Sequence, residues 1–148
     1  MITPHVFRIL LVEDEPGDAR LMQMAIRKSG YPLDLQRVED GLTALECLSQ
    51  QGERFRSSLR PDLILLDLKM PGKGGIETLQ AIKQSVNLRA IPVVVITTSA
   101  LEADVSAAYR HGAAGFVPKP TDLIEFVAVV KTLLDYWLML VRLPNKYR

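Results

Sequence analysis

The sequence predicts an α/β fold built on an open, doubly wound parallel sheet, and three observations carry that expectation. Five short apolar runs alternate with longer stretches of helical spacing. Several of these runs are apolar on both faces, as strands covered by helices on two sides must be. Polar residues with chemical potential close the runs, at the carboxyl edge where open sheets of this kind place their sites. Five strands are too few for a barrel closed by eight.

The first run is Phe7-Arg8-Ile9-Leu10-Leu11-Val12 and the second spans Leu33 to Val38. The third is Asp62-Leu63-Ile64-Leu65-Leu66, the fourth Ile91-Pro92-Val93-Val94-Val95-Ile96, and the fifth Gly115-Phe116-Val117. Between them, Met22, Ala25 and Ile26 outline one helix, Leu42, Leu45 and Leu48 a second, and Ile76, Leu79 and Ile82 another. A last helix is expected from about Thr121 into the high 130s. Strand and helix thus alternate five times. The segment Gln50 to Arg60 is longer than an ordinary connection, polar and basic. It reads as a solvated loop, with a partner contact as the other reading.

The 148 residues suit one compact domain, expected to span 1–148 with 139–148 as a C-terminal extension. A net charge of +1 gives no reason to expect nucleic acid or an anionic membrane as partner. No basic cluster or aromatic platform adds one. Cys47 is the single cysteine, so no internal disulfide is expected, and a small buried apolar residue is the better reading of it. Met1 to Phe7 does not look like a secretory leader. No apolar run approaches the ~20 residues that span a bilayer; Leu133 to Val141 is short and broken by Asp135. A cytoplasmic location is the expectation. His5, in a terminal segment, and His111, near a helix end, are not expected to carry a phosphoryl group.

Glu13 and Asp14 close the first run, Asp67 the third and Thr97 the fourth, and Lys119 follows the fifth. Solvated strand ends explain any one of them, but not all five together. Carboxylates gathered at one edge repel, by about 4 kcal/mol for a pair ~4 Å apart at an effective dielectric of 20. A divalent cation relieves this. The ligand set is all oxygen, with no His or Cys nearby, which selects a hard ion such as Mg²⁺. Lys119 then supplies a cation, and Thr97 a hydroxyl, for phosphoryl oxygens, an arrangement that stabilises the spread charge of phosphoryl transfer.

At these residues the chain resembles the receiver domains of bacterial response regulators. The resemblance rests on Leu11-Val12-Glu13-Asp14-Glu15, on Leu65-Leu66-Asp67-Leu68-Lys69-Met70-Pro71-Gly72, on Val95-Ile96-Thr97-Thr98-Ser99-Ala100 and on Gly112-Ala113-Ala114-Gly115-Phe116-Val117-Pro118-Lys119-Pro120. It covers nearly the whole chain. It implies a flavodoxin-like sheet of order 2-1-3-4-5 with five helices, the last one extended, and a single receiver domain. It further implies Asp67 as phosphoacceptor and Glu13 and Asp14 as the Mg²⁺-holding pair, with Asp67 and the backbone carbonyl of Lys69 completing the metal site. Thr97 would be the switch hydroxyl, Phe116 the switch aromatic, Lys119 the partner of the phosphoryl group, and Lys119-Pro120 a cis peptide. Such a domain is a signalling module, not an enzyme beyond limited self-phosphorylation and self-dephosphorylation. It takes its phosphoryl group from a sensor histidine kinase. The long loop after helix two and the ending Asp135 to Pro144 resemble the small regulators paired with bacterial and cyanobacterial phytochromes, which suggests a phytochrome as the kinase.

Gly74 precedes Gly75 where many members carry Asp-Gly, which predicts a looser turn or mere loop variation. Three other functions compete. A haloacid-dehalogenase-type phosphatase wants a second Asp two residues after the first, where this chain has Lys69. A flavin carrier wants a hydroxyl- and glycine-rich loop where Glu13-Asp14-Glu15 stands. A pseudo-receiver acting only as a binding module would lack the acceptor or the lysine. Finally, about 100° steps along the last helix place Leu123, Phe126, Val127, Val130, Leu134 and Trp137 on one stripe, expected to face the sheet. Val129, Leu133, Tyr136 and Leu140 form a second apolar stripe. Either the tail Val141 to Pro144 folds back over it, or it is the interface of a homodimer.

Overall fold

The computed structural model describes residues 5–70, 72, 74–99 and 101–144. Five strands, β1 (Phe7–Val12), β2 (Leu33–Val38), β3 (Leu63–Leu66), β4 (Val93–Thr97) and β5 (Gly115–Pro118), form one sheet in the order β2-β1-β3-β4-β5. Every pairing is parallel, with Ile9 beside Leu63 and Val94 beside Gly115. This is the flavodoxin-like topology the sequence implied. The helices are α1 (Pro16–Ser29), α2 (Gly41–Leu48), α3 (Gly52–Phe55), α4 (Gly75–Gln84), α5 (Glu102–Arg110) and α6 (Leu123–Leu134), the last continuing as a π-helical segment, Asp135–Leu140. Pro71, Ala100 and residues 145–148 of the C-terminal extension lie outside the described residues, as do residues 1–4.

Alternation along the strands makes two cores. Leu10, Val12, Ile64, Leu66, Val93 and Val95 face α2, α4 and α5, meeting Ala44, Cys47, Leu79, Ile82 and Ala108. Ile9, Leu11, Leu63, Leu65, Val94 and Ile96 face α1 and α6, meeting Met22, Ile26, Phe126, Val130 and Leu134. Every residue of β3 and β4 is buried, which is why those runs read as apolar on both faces. Burial of each large side chain contributes roughly 1.5–3 kcal/mol. Caps set the helix starts: Glu15 accepts from Gly17 N, Asp40 from Thr43 N, and Asp122 from Ile124 N. Cys47 is buried, as expected, with its thiol against Gln36.

Three packing expectations need correction. The segment 50–60 is not simply a solvated loop: it holds the short helix α3, a sixth, and Phe55 anchors it in the core at 3% exposure. The helix outlined by Leu42, Leu45 and Leu48 forms as α2, with Leu42 exposed and Leu45 and Leu48 packed partly buried beside Ala44 and Cys47. On α6, Leu123 is about half exposed because it stands in the first turn, ahead of the sheet-facing residues that begin at Phe126. Leu133 is buried against the α1 and α6 core, not on an outward stripe; stepping at about 100° it falls only about 20° from Phe126. Of the rest of that stripe, Tyr136 and Leu140 are exposed and Val129 is half-buried. The tail does not fold back over it, for Leu143 and Pro144 line a cavity with His5, Arg8, Pro61 and Pro92 at the amino ends of the strands.

Candidate functional site

The carboxyl edge of the sheet is built by main-chain bonds that continue the strand ladder one residue past each end. Glu13 N donates to Val38 O at 3.0 Å, Asp67 N to Val12 O at 3.1 Å, and Lys119 N to Thr97 O at 2.7 Å. The backbone therefore places four of the predicted residues before any side chain contributes. Carboxylate oxygens of Glu13, Asp14 and Asp67 lie within 4.8 Å of one another. Such an all-oxygen cluster fits a hard divalent cation.

Lys119 Nζ reaches into this cluster. It stands 2.5 Å from Glu13 Oε1, 3.0 Å from Asp18 Oδ2 and 3.5 Å from Asp67 Oδ2. Glu13 and the Lys119 side chain are both nearly fully buried. Burial pushes the Glu13 carboxyl up to about 7; Lys119 opposes this, and the charge of Asp67 adds to it. For Lys119, burial works against the charge, but its bonds to Glu13 and Asp18 and the fields of Asp67 and Glu13 outweigh it, so its pKa lies above the ordinary value. The ammonium is thus held charged against the acids.

Thr97 is fully buried at the end of β4, and its hydroxyl accepts from Ser99 N at 3.4 Å. Ser99 in turn donates to Asp104 Oδ2 at 2.5 Å, in the first turn of α5. Phe116 packs partly buried against the core shared by α2, α4 and α5, and its N–H donates to Tyr109 Oη at 3.2 Å. Lys69 is exposed, and its N–H donates to Asp67 Oδ1 at 3.3 Å. The Lys119–Pro120 bond is trans, since no cis peptide occurs among the described residues. This corrects the cis expectation: trans is the lower-energy form by about 0.5–1 kcal/mol, and Lys119 meets Glu13, Asp18 and Asp67 in that form.

The start of α4 sits tight against the end of β3. A Cβ on Gly75 would stand 2.5 Å from both Asp67 O and Leu68 Cα, so only glycine fits. Gly75 N donates to Leu68 O at 3.1 Å, and the Thr78 hydroxyl donates to Gly74 O at 2.8 Å, while no described side chain caps the start of α4.

Two contributors had not been singled out. Asp18, one turn into α1, is the third acid on Lys119. Arg37 on β2 donates from Nε to Glu13 O at 3.0 Å and from Nη2 to Asp14 O at 3.2 Å, bracing the acidic pair from behind. A signal for Asp18 did exist: a helix opening after the first strand presents its first turn to the same edge. For Arg37, only the register of an edge strand would have served. Among the predicted interface residues, Val129, Leu133 and Tyr136 line an apolar groove of about 440 Å³ with Val117, Ala128 and Thr132. No helix among the described residues is long and apolar enough to cross a membrane.

Comparison with known proteins agrees with this geometry. Response regulator Rcp1 of Synechocystis sp. is 44% identical over 136 residues, 92% of this chain and 92% of that protein. The structure of the phosphorylated cyanobacterial phytochrome response regulator RcpA superposes with a TM-score of 0.90 at 39% identity, covering 95% of this chain and 100% of that one. The Mn(2+)-bound form of Rcp1 superposes at 0.87 and 42% identity, covering 94% and 99%. The family described as the response regulator receiver domain matches residues 9–131. With its parallel sheet, its acidic cluster and this match, the chain belongs to the response regulator receiver domain family.

Proposed function

We propose that this chain is a single-domain response regulator that accepts a phosphoryl group on Asp67 from the phosphohistidine of a sensor histidine kinase. The observation that carries this reading is the meeting of three carboxylates within 4.8 Å with a lysine ammonium 3.5 Å from Asp67. Glu13, Asp14, Asp67 and the backbone carbonyl of Lys69 would hold Mg²⁺, which supplies positive charge for the phosphoryl oxygens. An Asp67 carboxylate oxygen attacks phosphorus as the bond to the donor imidazole nitrogen breaks, and the electron pair stays on that nitrogen, which takes up a proton. Lys119 pairs with the resulting anion. Thr97 turns its hydroxyl toward it, and Phe116 moves into the space left.

The receiver domain occupies 1–148, with 139–148 as a C-terminal extension, and works in the cytoplasm. The likeness to the cyanobacterial phytochrome response regulator RcpA favours a phytochrome as the kinase. The outward residues Val129, Tyr136 and Leu140, beside an apolar groove that the tail leaves uncovered, support a homodimer through α6. Leu133 belongs to the floor of that groove. Incubation with acetyl phosphate and Mg²⁺, followed by mapping of the modified residue, tests the central claim. Label is expected on Asp67 and absent from Asp67→Asn; full labelling of that variant refutes the reading.

A further inference from the structure

Asp18 adds an acid to the site that the sheet edge itself does not supply. An ammonium has three N–H donors. That of Lys119 is engaged by Glu13 at 2.5 Å and Asp18 at 3.0 Å, with Asp67 the most distant of the three acids at 3.5 Å. The lysine thus leans toward α1. The mount is firm: Pro16 opens the helix and Glu15 caps it through Gly17 N at 2.8 Å.

We propose that Asp18 is a positioning residue that holds the Lys119 ammonium on the α1 side and so slows the loading of Asp67. This rests on the reading of Asp67 as phosphoryl acceptor. A phosphoryl oxygen arriving there draws the ammonium across the 3.5 Å toward Asp67, which requires a carboxylate on the other side to release an N–H. Glu13 is poorly placed to release one, because it is 3% exposed and its other oxygen already accepts from Glu15 N at 3.3 Å. The Asp18 side chain is 36% exposed, so water can solvate it when the lysine leaves. Asp18 is therefore the bond that gives way, and its strength sets how readily the lysine turns to a new anion. The same exposure screens its own charge from Asp67, so the effect runs through contact with the lysine.

The test compares labelling rates with acetyl phosphate and Mg²⁺ in the wild type, Asp18→Ala, Asp18→Glu, Lys119→Ala and the Asp18→Ala, Lys119→Ala double variant. Asp18→Ala should label roughly fivefold faster, the equivalent of about 1 kcal/mol for one partly exposed ionic contact. Asp18→Glu should return the rate toward the wild type. In the Lys119→Ala background, removing Asp18 should change nothing. In EDTA, the carbon-13 resonance of Lys119 Cε should move in Asp18→Ala, a signature independent of labelling. An unchanged or slower Asp18→Ala, an effect that survives without Lys119, or an unmoved resonance overturns the proposal. Label mapping to a residue other than Asp67 in the wild type defeats the acceptor reading and this inference with it; correct mapping with an unaltered Asp18→Ala rate defeats this inference alone.

Discussion

Gly75→Ala should damage both the fold and the site, while Gly74→Ala next to it should be silent. The added methyl at 75 would lie 2.5 Å from Asp67 O and Leu68 Cα. Unstrained carbon contacts begin near 3.5 Å, so the overlap is about 1 Å. Both obstacles are main chain and cannot rotate aside. Relief requires drawing the start of α4 away from the end of β3, at the expense of the bond from Gly75 N to Leu68 O. Overpacking of this kind costs about 1–3 kcal/mol, and a lost hydrogen bond about 1 more. The sum, about 2–4 kcal/mol, corresponds to a Tm lower by roughly 5–15 °C for a chain of this size. At Gly74 the new methyl would meet only the flexible Glu77 carboxylate at 3.7 Å, and the backbone there is ordinary. Thermal denaturation of both variants, followed by acetyl phosphate labelling, makes the comparison. Gly75→Ala should also label more slowly, because the peptide it strains begins at Asp67. A Gly75→Ala midpoint within about 1 °C of the wild type, or an equal loss in Gly74→Ala, refutes the reasoning.

Arg37→Ala removes two bonds to the carbonyls of Glu13 and Asp14 and should weaken divalent cation binding about tenfold; a titration within twofold of the wild type contradicts this. In EDTA, Glu13, pushed up to about 7 from its ordinary 4.5, holds a proton in the folded chain that the unfolded chain has released. The stability from that difference is whole below the unfolded value and lost as the pH rises through about 7. Urea midpoints should therefore fall more between about pH 5 and pH 8 in the wild type than in Glu13→Gln, and equal falls count against the assignment. Tyr136→Glu with Leu140→Glu, both exposed, should give a folded monomer that still accepts label at Asp67. Sedimentation that shows the wild type already monomeric removes the dimer.

The parts of the fold that were legible in the sequence are those under strong apolar constraint. β3 and β4 are buried on both faces, so their sequences had no freedom to look like anything else. The acids that end β1 and β3 were legible because charge directly after such runs has few structural explanations. What escaped depends on angle and long-range register. Asp18 meets Lys119 across 101 residues. Arg37 reaches the acidic pair only because β2 lies beside β1. Leu133 sits near the boundary between two helix faces, where a small difference in rotation decides between core and surface. Phe55 hid in a basic segment because one buried ring suffices to anchor a four-residue helix.

Cys47 has a practical consequence for measuring the switch. Its thiol is almost sealed from solvent, and burial pushes its pKa up, so little reactive thiolate forms at neutral pH. It is also the one cysteine in the sequence. A dye or spin label can therefore be directed to a cysteine introduced at exposed Ser106, on α5, without first deleting a native thiol and disturbing the packing around it. The natural chain already comes prepared for single-site spectroscopy of the helix that the Ser99–Asp104 bond ties to the end of β4.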